Sequence, residues 1–440
     1  MRVHIAGIGG VFMAGIALLA KELGLQVSGC DGEVYPPVSD LLAAHNITVT
    51  RGCDPAQLRP PPDQLIIGNA LSRGNPLVEA ALDAGLTLTS GPQWLAENIL
   101  TGRRVIAVAG THGKTTTTAM LVWILQRAGL APGFLIGGMP GNFSASARIG
   151  GGEWFVVEAD EYDSAFFDKR PKFVHYRPLI AVLLNLEFDH ADIYDNLGDI
   201  QKQFHYLLRT VPAAGTVVVN RFSKTLSEVL RMGCWSTVQQ FAVDGGDGGD
   251  GIGDFTVHGH RVHCQLSGVH NRENAAAAVT AAKAIGITTA DAAAALADFR
   301  APRRRMEDLG VHRGIRVVDD FAHHPTAIAR TLAAARAVHL GSGGGRLIAV
   351  FEPRSNSMRL GVHRDALPAA FTAADRAFLL WPGEPPAGFP CPLHTAAASS
   401  PLLAALQACA RPGDCVVFMS NGGFDGVQQK FIARLSGGVV

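Results

Sequence analysis

The chain has 440 residues, with 38 basic and 38 acidic side chains and a formal net charge of zero. At ~150 residues per domain this length suggests about three domains, and a 48% hydrophobic fraction is enough to give each one a core. The balanced charge supplies no electrostatic reason to bind nucleic acid or an anionic membrane surface.

From the start, short β-rich runs alternate with helical patterns: strand 3–7, helix 12–23, strand 26–30, helix 39–45, strand 65–67. Such alternation predicts a parallel sheet wrapped by helices. The apolar stretch from Val3 to Ala20 is not read as a signal peptide or membrane span, because His4 and several glycines interrupt it and Lys21-Glu22 continues its helix. Gly7, Gly9 and Gly10 follow the first strand, but a dinucleotide fingerprint would place its third glycine where Phe12 stands. Asp31 closes the second strand, where a ribose-binding acid would fall. The spacing therefore admits either a phosphate-bearing ligand or simple tight turns.

Near Leu100-Thr-Gly-Arg-Arg the pattern breaks, and Val105-Ile-Ala-Val-Ala opens a new strand–loop–helix unit. Its loop, Gly110-Thr-His-Gly-Lys-Thr-Thr, lies between that strand and a helix predicted over about 115–128. Glycine turns let backbone N–H groups converge on phosphate oxygens, and a helix N-terminus adds donors and positive potential. Lys114 can meet the β/γ phosphates and the Thr115 hydroxyl can bind Mg²⁺. Val108 occupies the usual first glycine position, so the motif is a shortened variant. A nucleoside triphosphate is the expected ligand.

Glu158, the first acid after the apolar run Val156-Val, is a natural second magnesium contact. The acids beyond it, Asp160, Glu161 and Asp163, read equally as a solvated loop. A later strand, Ile180-Ala-Val-Leu-Leu, leads to Asp189-His190, where ligands of an open α/β sheet collect. The low-complexity run 244–253 has only one copy of its glycine–aspartate pattern, so it reads as a hairpin loop rather than a calcium repeat. Alanine-rich helices follow over 274–285 and 290–299, and a third break comes at Arg300-Ala-Pro-Arg-Arg-Arg. That triple arginine is either a phosphate clamp or a basic linker. Strands at 315–319, 346–351 and 415–419 complete the pattern, giving three α/β units at about 1–101, 102–302 and 303–440. None of the seven cysteines is spaced C-x-x-C, which predicts reduced thiols in a cytoplasmic protein.

Taken in order, Gly110-Thr-His-Gly-Lys-Thr-Thr, Glu158-Ala-Asp-Glu, Asp189-His190, His270-Asn-x-x-Asn274, Arg304-Arg305 and Asp319-Asp-Phe-Ala-His-His resemble the Mur ligases, ATP-dependent amide-bond ligases of peptidoglycan assembly. The phrases Val34-Tyr-Pro-Pro, Gly68-Asn-Ala, Ser90-Gly-Pro-Gln-Trp, Phe166-Phe-Asp-Lys-Arg, Glu352-Pro-Arg-Ser-Asn and Ser420-Asn-Gly-Gly-Phe point to members that add a preformed peptide in recycling, rather than L-alanine. A P-loop NTPase switch is the reading from another class. It would not need the separate N-terminal glycine-rich sheet.

The resemblance implies three domains: an N-terminal Rossmann-like UDP-binding domain, a central P-loop ATPase domain and a C-terminal Rossmann-like domain. It implies that UDP-N-acetylmuramate is activated by ATP to an acyl phosphate, then captured by the amine of the tripeptide L-alanyl-γ-D-glutamyl-meso-diaminopimelate. By the same matching, Lys114, Glu158, His190 and Arg305 are catalytic, and Thr115, Glu158 and His190 hold Mg²⁺. Gly110 to Thr116, Asn271, Asn274, Asp320 and His323 contact ATP, and Gly7, Gly9, Gly10, Asp31 and Asn69 face the UDP portion. Arg354, a bidentate donor beside a proline-fixed turn, is expected to pair with a diaminopimelate carboxylate. The expected protein is a cytoplasmic monomer or weak homo-oligomer. The carbamylated lysine of several relatives has no clear counterpart; Lys202 and His205 lie nearby and are not assigned.

Overall fold

The computed structural model describes residues 1–246, 249–339 and 344–437; Asp247 and Gly248 of the glycine–aspartate run lie outside the described residues. The chain forms two compact units. One comprises residues 1–188, 196–242 and 274–300, the other residues 189–195, 243–273 and 301–440.

The first unit holds two large sheets and a two-stranded antiparallel ribbon, Asp163–Ala165 with Asp168–Pro171. The N-terminal sheet is wholly parallel, in the order Thr48–Arg51, Gln26–Asp31, Arg2–Ala6, Gln64–Ile67, Leu88–Ser90. Its central strands are apolar on both faces because helices cover both sides. The helix Val11–Glu22 buries every residue from Met13 to Ala20, and Gly15 meets Leu135 and Ala147 of the second sheet so closely that a Cβ would stand 3.1 Å from Leu135.

The second sheet has seven strands, in the order Thr237–Phe241, Thr216–Asn220, Ile180–Leu183, Arg104–Ala109, Trp154–Glu158, Gly133–Leu135, Ala147–Arg148. All pairs are parallel except the last, an antiparallel edge. Arg104–Ala109 lies between Ile180–Leu183 and Trp154–Glu158 and feeds the helix Lys114–Arg127. The turn after that strand is thus flanked by the carboxyl ends of two neighbours, where an open α/β sheet binds its ligands.

The second unit is built on a six-stranded sheet, in the order Glu307–His312, Ile315–Asp320, Cys415–Met419, Leu347–Phe351, Arg376–Leu380, Leu393–Ala396. Only the first pair is antiparallel. Apolar clusters line its two faces, one around Leu332, Phe351 and Phe371, the other around Leu402, Phe418 and Phe431. A small antiparallel sheet (Gly245–Gly246, Gly253–Val257, His260–Cys264) belongs to the same unit. Among the described residues no helix is long and apolar enough to cross a membrane.

Candidate functional site

The loop from Gly110 to Thr116 is held by the chain that follows Ile180–Leu183. Thr111 N–H donates to the Asn185 carbonyl (3.2 Å), His112 N–H to Asn185 Oδ1 (2.8 Å), and Asn185 Nδ2 returns a bond to the His112 carbonyl (3.0 Å). Glu187 N–H donates to Thr111 Oγ1 at 2.9 Å. Gly113 has φ of +86° and abuts the Asn274 amide oxygen, into which a Cβ would collide. Two features therefore demand glycine there: a left-handed backbone and the absence of room. The loop then delivers its last residues into the first turn of Lys114–Arg127, whose N–H groups point out of the helix end.

Around that helix end lie three buried acids. Thr115 Oγ1 donates to Glu158 Oε1 at 3.0 Å, while Glu158 Oε2 accepts the Gly137 N–H at 2.7 Å. Gly137 permits this approach, since a Cβ would stand 2.5 Å from that oxygen. Lys114 Nζ is 2.9 Å from Glu161 Oε2 and 3.6 Å from Asp160 Oδ1. Burial alone would drive the Lys114 ammonium towards its neutral form, but Glu161 and Asp160 outweigh it and hold the group charged well above the usual lysine range. Asp160 is shared: Lys172 Nζ, itself buried, reaches its other oxygen at 3.0 Å and the Tyr162 hydroxyl at 3.0 Å. The sequence admitted Asp160, Glu161 and Asp163 as a solvated loop, and the structure overturns this. All three are buried, because each finds a lysine partner: Lys114 for Glu161, Lys172 for Asp160, Lys169 for Asp163.

The residues fit a magnesium ion. Two oxygens 3.0 Å apart, on Thr115 and Glu158, span the edge of an octahedron whose ligands stand ~2.1 Å from the metal. One is a hydroxyl and the other a carboxylate, the hard donors that ion takes.

The N-terminal turn lies in the same unit. Gly7 has φ of +85°, and its N–H donates to the Cys30 carbonyl at 2.8 Å. Gly9 N–H donates to Asp31 Oδ2 at 2.8 Å, and a Cβ on Gly9 would stand 2.9 Å from that oxygen. Asp31 Oδ1 takes the N–H of Gly32 at 2.7 Å. Asp31 thus shapes the turn as its own hydrogen-bond acceptor. Gly10 precedes the helix Val11–Glu22, and Asn69 is exposed one residue beyond Gly68, which bonds to the Ala6 carbonyl. Phe12, in place of a third glycine, lays its ring 4.4 Å from the Lys172 ammonium.

Six of the expected residues, Asn271, His190, Arg305, Asp320, His323 and Arg354, fall in the second unit. There Asp189 is buried and accepts from the Ser357 hydroxyl at 2.6 Å and from the His190 N–H at 2.8 Å. Burial opposes its charge, but His190, Ser357 and His323 together hold Asp189 well below the usual carboxylate range. His323 Nδ1 lies 3.0 Å from the Phe321 carbonyl, and Asn271 Nδ2 donates to the Ser267 carbonyl at 2.7 Å. Arg305 lies over the Phe321 ring, 4.8 Å from its centre. Asp320 is engaged on both oxygens, by the N–H groups of Met306 (2.7 Å) and Ala322 (2.8 Å) and by the Thr331 hydroxyl.

Arg304 pairs with Asp319 at 3.3 Å and donates to the Ser420 carbonyl at 2.6 Å. Burial pushes Asp319 up to about 6, against the opposing pull of Arg304. Arg354 is mostly exposed, 3.6 Å from Glu352, with its stem packed over Gly422. Glu352 is in turn fixed by the Ser420 hydroxyl at 2.6 Å. Sequence reasoning missed Asn185, Gly137 and Lys172. Asn185 offered a signal, a lone amide after a strand next to the glycine loop; the other two are recognisable only by what they touch.

Three family models match successive parts of the chain: the Mur ligase family catalytic domain over residues 2–103, the Mur ligase middle domain over 108–282, and the Mur ligase glutamate ligase domain over 304–422. The chain is 47% identical to the UDP-N-acetylmuramate–L-alanyl-γ-D-glutamyl-meso-2,6-diaminoheptandioate ligase of Escherichia coli, over 99% of this chain and 98% of that one. It is 36% identical to the UDP-N-acetylmuramate–L-alanine ligase of Paenarthrobacter aurescens, over 86% of this chain and 82% of the relative. The crystal structure of a murein peptide ligase from Psychrobacter arcticus superposes with a TM-score of 0.79 at 39% identity, each chain covered completely. With both sheets, the glycine loop and all three models in agreement, the chain belongs to the Mur ligase family.

Proposed function

We propose that this protein joins L-alanyl-γ-D-glutamyl-meso-diaminopimelate to UDP-N-acetylmuramate, converting ATP to ADP and phosphate, in peptidoglycan recycling. The lactyl carboxylate attacks the γ-phosphorus of ATP and releases ADP. The amine of the tripeptide's L-alanine then attacks the acyl phosphate carbonyl, loses a proton, and expels phosphate. No enzyme nucleophile is required; the protein holds the reactants in line and offsets charge on the phosphoryl oxygens.

The observation that carries this reading is the grouping of Lys114, Thr115 and Glu158 at the end of a braced glycine loop. Lys114, kept charged by Glu161 and Asp160, supplies a cation to the β/γ phosphates. Thr115 and Glu158 would hold Mg²⁺, whose charge would offset that of the phosphates. His190 as a further metal contact, Arg305 as a phosphate clamp, and Asn271, Asn274, Asp320 and His323 as nucleotide contacts belong to the same proposal. So do Gly7, Gly9, Gly10, Asp31 and Asn69 at the UDP portion, Arg354 at the peptide, the domain limits 1–101, 102–302 and 303–440, and a cytoplasmic location. The greater identity to the peptide-adding relative than to the alanine-adding one, 47% against 36%, supports the choice of acceptor.

Phosphate release from ATP is measured with UDP-N-acetylmuramate plus either tripeptide or L-alanine. Acceleration by the tripeptide is expected; acceleration by L-alanine alone would favour the alanine-adding activity, and release insensitive to either acceptor would favour a nucleotide switch. Lys114→Ala, folded by circular dichroism, should lose at least ~100-fold in kcat. Unchanged ADP and adduct yields would remove the proposal's basis.

A further inference from the structure

We propose that Cys30 and Cys53 form a reversible disulfide when the protein meets a hydroperoxide. The inference is independent of the assigned reaction. It starts from the strand pairing of the N-terminal sheet, where Cys30 stands opposite Thr50 on Thr48–Arg51. Gly52, at φ of +76°, then turns the chain, and its N–H donates to the Asp31 carbonyl at 2.6 Å. This brings Cys53 back against Cys30, with the two Sγ atoms 2.6 Å apart. A disulfide bond is about 2.05 Å long, so the thiols need only a small closing movement.

That movement falls on Cys53. Cys30 is fixed by Ala6 on one side and Thr50 on the other, and its carbonyl accepts the N–H groups of Gly7 and Ile8. Cys53 lies in the loop, half-buried at the margin of the cluster formed by Leu58, Leu65 and Ile67, in which Cys30 is fully buried.

Cys53, the less enclosed of the two, attacks the peroxide O–O bond through its sulfur, giving a sulfenic acid and releasing the other oxygen, with the thiol proton, as water or alcohol. Cys30 sulfur then attacks the sulfenic sulfur. Its proton leaves with the hydroxide as water, and both thiols have been oxidised by the two electrons the peroxide accepts. Burial and the neighbouring Cys53 push the Cys30 thiol up, so it stays protonated and unreactive towards peroxide until the sulfenic acid lies against it. An exogenous dithiol reverses the bond by exchange. The crosslink closes residues 31–52 into a loop, and such closure stabilises mainly by restricting the unfolded chain.

The test treats the full-length protein with one equivalent of hydrogen peroxide, alkylates the remaining thiols and reads the intact mass and peptide map. The expected result is loss of two alkylatable thiols, a linked peptide pair carrying Cys30 and Cys53, and complete reversal by dithiothreitol. The first thermal unfolding transition should rise by several degrees in the oxidised protein, and Cys53→Ser should show neither the linked pair nor the rise. Wild-type protein that keeps all its thiols, or links a different pair, would overturn the inference.

Discussion

Thr115 and Glu158 are joined by a hydrogen bond of 3.0 Å, although the threonine stands in the first turn of a helix and the glutamate closes the strand next to the one that feeds it. The bond uses one carboxylate oxygen and leaves the second on the Gly137 N–H. The pair therefore stands at the spacing of adjacent metal ligands.

Glu158→Gln tests this arrangement. The amide preserves shape but removes the charge, so magnesium-dependent ADP binding should weaken at least ~10-fold while magnesium-free binding changes little. Calorimetry with and without the ion reads the difference, and equal binding in both variants would separate Glu158 from the metal.

Gly113→Ala should damage the loop without touching its charged groups. An alanine must adopt φ of +86° and push into the Asn274 amide, at a cost of about 1–3 kcal/mol. We expect a lower unfolding midpoint in urea and an ATP KM raised at least ~10-fold. Unchanged ATP KM would mean that the loop relaxes around the methyl group.

Arg354→Ala should raise the tripeptide KM ~10-fold or more and leave the ATP KM within ~2-fold, because one exposed guanidinium–carboxylate contact is lost. Steady-state kinetics with each substrate varied in turn decide it. Parallel changes in both constants would dismiss a peptide-specific role.

Asp319 makes stability depend on pH in a predictable direction. Burial raises its carboxyl from 3.8 to about 6 in the folded protein, so the folded state binds more protons than the unfolded state between those values. Stability should therefore fall as pH rises from about 4 to about 6 and then level off. Asp319→Asn should be the more stable protein at pH 8, by on the order of 2 kcal/mol, and lose that advantage near pH 4. Urea titrations at the two pH values check the sign.

Much of this architecture was legible in the sequence, because period and punctuation agree with the final packing. The strand expected at 105–109 is Arg104–Ala109, and the helix expected from about 115 starts at Lys114. Short edge elements were not legible: Thr48–Arg51 is largely exposed and lacks an apolar signature. The helix expected from Asn274 begins at Val269, since Asn271-Arg-Glu is polar where an apolar repeat was sought. At the site, glycines and charged residues announced the ligand chemistry, but the burial of Asp160, Glu161 and Asp163 depends on lysines close by only after folding. Local polarity alone could not foresee it.

The position of Phe12 has an evolutionary corollary. Its ring roofs an ammonium, that of Lys172, which is almost cut off from water. Replacing it with the glycine of a dinucleotide-binding turn would leave that cation only the Tyr162 ring, 4.3 Å away, as aromatic cover and open a hole in the same stroke. A drift of this first sheet towards nicotinamide chemistry is thus opposed by the contact between residues 12 and 172, so the two positions should covary among descendants of this chain.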